Sequence, residues 1–226
     1  MRARTFGAVG ALALQVLLVL AMLFAVTFDR AYYLSEYERL GVYESCGADA
    51  VTLERATDIL LEYLRGRADG LSGQGVIDGE LRDIFGADER AHMVDVKQLF
   101  ELALVVMLCA GVVAIASALL AGRDRRRTAQ GALIGMGVFA ALLAAAGIWC
   151  ALDFNSAFNA FHGLLFDNGL WIMDPATQFM IRMFPSEFFA GMGLRIALYT
   201  GAGMVAQAVI YGFCGFYGRN KSHDIH

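Results

Sequence analysis

The chain has 226 residues, 58% hydrophobic and only 18% charged, with a mean hydropathy of +0.55 and a formal net charge of -4. A soluble domain usually carries about 25% charged residues, and here the apolar excess is gathered in runs long enough to cross a bilayer, which takes about 20 helical residues. This excludes an ordinary soluble domain. The lack of a basic patch outside one short loop argues against a nucleic-acid partner.

The first apolar run, Phe6 to Phe28, is long for a signal-peptide core and no small-x-small cleavage site follows it, so it reads as an uncleaved helix. The second runs from Leu99 to Ala121, the third from Ala129 to Leu152, and the fourth from Phe188 to Tyr217 after Pro185. Each satisfies its backbone hydrogen bonds internally, as lipid requires. Arg2 and Arg4 precede the first run, Arg123, Arg125, Arg126 and Arg127 link the second to the third, and Arg219 and Lys221 follow the fourth. With four spans all three basic segments fall on one side. The positive-inside rule makes that side the cytoplasm, and with it both termini.

The segment from Asp29 to Lys97 then lies outside, with 15 acidic and 8 basic residues. Within it, Asp49 to Gly66 has Leu53, Ile59, Leu60, Tyr63 and Leu64 among charges, an amphipathic helix ending at glycine. Gly70 to Gly86 reads as turns with a short hairpin around Val76 and Ile77. Tyr32, Tyr33 and Tyr37 stand where amphipathic rings prefer the membrane interface. The fold class expected is an all-α membrane protein, a four-helix transmembrane bundle with a small extracytoplasmic cap between helices one and two. The expected organisation is residues 1–28 as the first helix, 29–98 as the cap, 99–153 as helices two and three, 154–187 as an interfacial segment, and 188–226 as the fourth helix and tail.

Cys109, Cys150 and Cys214 lie in apolar runs and Cys46 stands alone in the cap. No C-x-x-C occurs, so neither a disulfide framework nor a structural zinc site is expected, and the cysteines of the helices read as small packing residues. Glycines 191, 193, 201 and 203 suit close helix packing. There is no H-E-x-x-H, G-x-S-x-G or Walker loop.

Two histidines fall at corresponding depths, His92 before helix two and His162 after helix three, whereas His223 and His226 belong to the tail. Glu89, His92 and Asp95 share a helical face, and a carboxylate beside an imidazole fixes its tautomer and favours its charged form. Asn155, Asn159 and His162 form a polar stripe beside the apolar stripe of Phe154, Phe158, Phe161 and Leu165. Such a helix lies in the interface. Glu101 and Arg195 are charges near the outer ends of their spans, and either pair or snorkel outward. Trp171, Asp174, Pro175, Phe184, Pro185, Phe188 and Phe189 make an aromatic, turn-rich segment that reads chiefly as an interfacial belt.

At these residues the sequence resembles the lipoprotein intramolecular transacylase family of bacterial integral membrane proteins. The resemblance rests on E-R-A-H-M-V-D-V-K-Q-L-F from Glu89, F-N-A-F-H-G-L-L-F-D-N-G-L-W-I-M-D-P from Phe158, and M-F-P-S-E-F-F from Met183. It implies an enzyme that moves an acyl chain from the glyceryl sn-2 oxygen to the N-terminal cysteine amine of a diacylated bacterial lipoprotein. It also implies that His92 and His162 are the catalytic pair. The place is then the bacterial cell membrane, with the site on the extracytoplasmic face and the lipid bilayer as partner. No cofactor or metal is called for, because amide formation from an ester is downhill. Nothing sets the oligomeric state.

On this reading His92 is expected to be the base, oriented by Glu89 and Asp95, and His162 the acid or oxyanion donor, helped by Asn159. Phe158, Phe161, Trp171 and Phe184 are expected to hold the substrate folded, and Arg195 to bind a head group or carbonyl oxygen. Two other classes stay open. A metal-dependent membrane hydrolase would use His92, His162, Glu89 and Asp95 as ligands. A non-catalytic transport or assembly protein would need polar residues at mid-membrane, where only Gln15 and Gln207 stand.

Overall fold

The computed structural model describes residues 1–220 and the side chains of 1–215. Arg219, Lys221, His223 and His226, expected in the tail, lie outside the described side chains. Four helices are long and apolar enough to cross a membrane: α1 (Arg2–Thr27), α5 (Ala87–Ala121), α6 (Arg125–Leu152) and α9 (Ser186–Asn220). The other elements are α2 (Arg30–Arg39), α3 (Val42–Ser45), α4 (Ala50–Leu64), β1 (Gln74–Ile77), β2 (Glu80–Asp83), α7 (Phe154–Leu165) and α8 (Phe179–Met183). The chain divides into two compact units.

The first unit holds residues 1–24, 103–149 and those from 194 onward. Its core is small: Ala11, Ala132, Met136 and Met204, flanked by Leu18, Phe139, Leu143, Ala208 and Tyr211. In lipid there is no hydrophobic drive between helices, so packing depends on close backbone approach at small residues. Here α1 and α6 supply it. A Cβ on Gly131 would sit 1.9 Å from the Arg4 carbonyl oxygen, one on Gly135 2.5 Å from that of Ala8, and one on Gly7 2.2 Å from that of Thr128. Of the four glycines expected to pack, Gly193 and Gly201 would meet nothing within 4 Å, whereas Gly203 lies against Leu18. Gln15 donates from Nε2 to Gln207 Oε1 at 2.7 Å, which joins α1 to α9 in the bundle, while the buried Gln15 Oε1 has no hydrogen-bond partner among the described residues. Asp124 starts α6 by accepting the Arg127 N–H. Cys109, Cys150 and Cys214 are exposed on their helices, not packed as expected.

The second unit holds residues 25–102 and 150–193. Asp49 caps α4 by accepting the Thr52 N–H at 2.7 Å, and that helix turns Leu53, Ala56, Leu60, Leu61 and Leu64 inward. β1 and β2 form a hairpin joined by Asp78 and Gly79, both at positive φ. Asp-Gly is the pair that such a turn favours, because both central residues sit in the left-handed region. Arg182 clasps the turn from α8 through two hydrogen bonds to the Asp78 carboxylate. That pairing holds the Asp78 carboxyl below the usual carboxylate range.

The three tyrosines correct the interfacial expectation. Tyr32, Tyr33 and Tyr37 are buried, and they pack with Phe184 and Phe188 in one aromatic core. Tyr32 donates its O–H to the Phe188 carbonyl, and the Tyr37 hydroxyl is bonded to that of Thr57. With their polar tips satisfied inside the protein, the rings have no need of an interface. Phe184 and Phe188 are therefore core residues, not members of a belt.

Candidate active site

α5 and α7 bring the two histidines together within the second unit. The His92 and His162 rings have centroids 6.5 Å apart and planes inclined at 31°. The continuous helix α5 carries His92 on its charged leading part, ahead of the apolar stretch that begins at Leu99. α7 starts at Asp153, which accepts the Ser156 N–H, and carries His162 on its last turn. The Phe166 ring, which is buried, stands within reach of both imidazoles, at 5.1 Å from His92 and 5.6 Å from His162. Trp171 stacks on His162 at 5.0 Å, Phe158 approaches it to 4.0 Å and Phe161 meets it edge-on. Apolar walls of this kind disfavour charge on the rings they surround.

The two imidazoles differ in their bonds. Nδ1 of His162 lies 2.8 Å from the Phe158 carbonyl oxygen. A carbonyl only accepts, so Nδ1 carries the proton and donates, which leaves the lone pair on Nε2. His92 is 7% exposed, and its Nδ1 is buried with no hydrogen-bond partner among the described residues. An orphaned buried N–H is rarer than an orphaned acceptor, so the neutral ring is better served with its proton on Nε2. Burial holds both imidazoles below their usual value. That of His92 is pushed down to about 4, by burial first and then by His162, with Asp95 acting in the opposite sense. That of His162 is lowered by burial, with the Phe158 carbonyl opposing.

The expected orienting carboxylates are engaged elsewhere. Glu89 is 2% exposed and accepts N–H groups from Gly86, three residues before it, and from Met180 on α8 at 2.6 Å. It is thus a brace between the start of α5 and α8, in the manner of the glutamate of a capping box. Asp95 accepts from Asn168 Nδ2 at 2.9 Å. That bond ties α5 to the loop that carries Trp171. Asn159 and Asn155 are exposed, and no hydrogen bond among the described residues joins either to His162. Glu101 is exposed, and Arg195, which belongs to the first unit, donates from Nε to the Tyr199 hydroxyl at 3.1 Å. Among the described residues no three His, Cys, Asp or Glu side chains gather in a metal-binding group. Sequence reasoning passed over Phe166 and Asn168. Both lie in the F-D-N-G stretch after His162, where a turn residue next to a histidine motif was the available signal.

A model of the lipoprotein intramolecular transacylase family, Lit, matches residues 8–189. A comparison with curated proteins gives no significant match. Among solved structures, the membrane-integral lipoprotein intramolecular transacylase Lit from Bacillus cereus is similar with a TM-score of 0.80 at 23% identity, over 96% of this chain and 97% of that one. A variant of the same Bacillus cereus protein, with a histidine replaced by arginine, is similar with a TM-score of 0.75 at 22% identity, over 97% and 94%. At such identities the structures establish the fold, which is that of the membrane-integral enzyme, and the family rests on the sequence match. Because that match covers most of its length, the chain belongs to the lipoprotein intramolecular transacylase family.

Proposed function

We propose that the chain moves an acyl chain from the glyceryl sn-2 oxygen of a diacylated lipoprotein to the α-amine of that lipoprotein's N-terminal cysteine, with His92 and His162 as the proton-transferring pair. The observation that carries this reading is the pair itself, two imidazoles 6.5 Å apart between aromatic walls, with Nδ1 of His162 against a carbonyl and Nδ1 of His92 buried without a partner among the described residues.

The roles follow from the tautomers and reverse the order expected from sequence. Nε2 of His162 has the free lone pair and accepts the proton of the attacking amine. The N–H of His92 at Nε2 donates to the carbonyl oxygen as negative charge develops there. The proton held by His162 then goes to the departing glyceryl oxygen. One C–O bond breaks, one C–N bond forms, and the ring proton count returns to its starting value. The attack closes a ring of about eight atoms, which closes poorly unless the substrate is held folded, and orientation contributes up to about 7–11 kcal/mol in favourable intramolecular cases. We assign that holding to Phe158, Phe161 and Trp171, an assignment supported by their rings standing against His162. The positive-inside arrangement of Arg2, Arg4 and Arg123 to Arg127 supports cytoplasmic termini, with the imidazole site on the extracytoplasmic face of the cell membrane.

Expression in a bacterium lacking N-acylating enzymes should yield lipoprotein N-terminal peptides with the acyl group on nitrogen and a free glyceryl hydroxyl, read by mass spectrometry. His162→Ala should abolish that product and His92→Ala should lower it at least about 100-fold, as expected for loss of a positioned acid–base or oxyanion group. Normal product from both single variants would refute the scheme.

A further inference from the structure

The second unit carries a cavity that the histidine pair does not use, an open groove of about 420 Å³. It is lined by Arg82 and Asp83 of β2 with Ile84 just after them, by the first turn of α5 at Glu89, and by the loop bearing Leu170 and Gln178. Two neighbours tie it to the imidazoles. Glu89 stands three residues before His92 on α5, about 4.5 Å of helical rise. Leu170 precedes Trp171, whose indole stacks on His162. The groove is thus lined in part by chain neighbours of the residues that form the imidazole site.

The hairpin beside it specifies the kind of ligand. Ile77 pairs with Glu80 across the two-residue turn, and Gly75 pairs with Arg82. Such a turn makes Ile77 and Glu80 a hydrogen-bonded pair, and these pairs alternate along the ladder. The Ile84 N–H continues the pattern by donating to Gly73. Leu81 and Asp83 therefore direct their backbone N–H and C=O groups away from β1. The far side of β1 is taken by the bridge from Ala48 to Ile77. Among the described residues no strand and no hydrogen bond takes up the outward groups of β2. An unpaired sheet edge at a polar groove is a template for extended main chain.

We infer that this groove receives the polypeptide that follows the lipidated cysteine of the substrate, laid as an extended strand along the outer edge of β2. The inference rests on the proposed function. That reading puts the cysteine at the imidazoles and the acyl chains in lipid, so the peptide is the polar part of the substrate that must leave the site. At about 3.3 Å per residue, the first few residues after the cysteine reach β2. Recognition goes through main-chain groups, which makes it tolerant of the side chains that follow the cysteine.

The test uses the full chain in detergent micelles with synthetic S-diacylglyceryl-cysteine substrates, ending either at the cysteine amide or several residues later. Lengthening should lower KM about tenfold with little change in kcat, the effect expected of a pair of backbone hydrogen bonds. Leu81→Pro removes an outward N–H, and Gly169→Trp places a ring in a position where an added Cβ meets nothing within 4 Å. Each should bring the ratio of short to long KM toward one. A wild-type KM independent of peptide length overturns the inference. In parallel, a substrate with a diazirine residue two places after the cysteine is photocrosslinked and the label mapped by mass spectrometry. Label on residues 81–84 or 169–174 supports the groove, and label confined elsewhere, or none, overturns it. Groove label without any N-acyl product would overturn the transacylation reading while leaving peptide docking in place.

Discussion

An imidazole buried against a second imidazole and aromatic rings resists protonation, and folding stability must register that resistance. An unfolded chain titrates histidine near 6.5, whereas folded His92 is pushed down to about 4 and His162 is also lowered. Between these values the unfolded state binds more protons than the folded one. Stability therefore rises with pH across this window and is lost as pH falls from 6.5 toward 4. The capping Asp49 and the clasped Asp78 lie below the usual carboxylate value, so their loss comes at lower pH and is separable. His92→Phe, a ring of similar size beside Phe166, should flatten the fall in Tm between pH 6.5 and 4 in a thermal-shift assay. An unchanged slope would mean that His92 is charged in the folded state. The same residue shows where sequence reasoning stops. The E-x-x-H-x-x-D spacing put three side chains on one helix face, which the structure bears out. It pointed Glu89 toward His92, whereas that carboxylate accepts from Gly86 and Met180, and Met180 is 91 residues away, beyond the reach of a local pattern.

At the scale of elements, the signals that were legible are local ones. The apolar runs gave the spans, Asp49 announced α4, and Asn155 to Leu165 gave α7 with His162 on its face. The hairpin was placed around Val76 and Ile77, and the Asp78-Gly79 pair is the reason it turns there. What was not legible is which surface each element meets. Tyr32, Tyr33 and Tyr37 look like interfacial anchors until Phe184 and Phe188 return from the far end of the chain to bury them. The same holds for the glycines, because only a facing backbone distinguishes a packing glycine from an open one. The contrast lies within α6. Gly131 meets the Arg4 carbonyl, whereas an added Cβ on Gly137 meets nothing within 4 Å. Gly131→Val should force α1 from α6 and lower Tm by several degrees, a change of roughly 1–3 kcal/mol for an overpacked contact, while Gly137→Val should leave Tm nearly unchanged.

At the scale of the whole molecule, membership in the transacylase family joins a fold, a reaction class and a place in the membrane. The sequence carried the family through short motifs around His92 and His162, since those motifs hold the residues that meet in the structure. The orientation we propose rests on arginine placement alone and has its own test. In intact cells with Cys46, Cys109, Cys150 and Cys214 replaced by serine or alanine, Ser72→Cys should react with an impermeant maleimide. Arg126→Cys should react only after the membrane is opened. The reverse pattern would put the imidazoles on the cytoplasmic face.

The indole of Trp171 lies flat against His162, and the protein has only one other tryptophan, Trp149. A stacked imidazolium draws electron density from an excited indole and dims its emission, whereas neutral imidazole does so far less. With Trp149 changed to phenylalanine, the fluorescence of the remaining tryptophan becomes a built-in titration dial. Its midpoint, expected below the usual 6.5 for histidine, reads the proton occupancy of His162 without any substrate present.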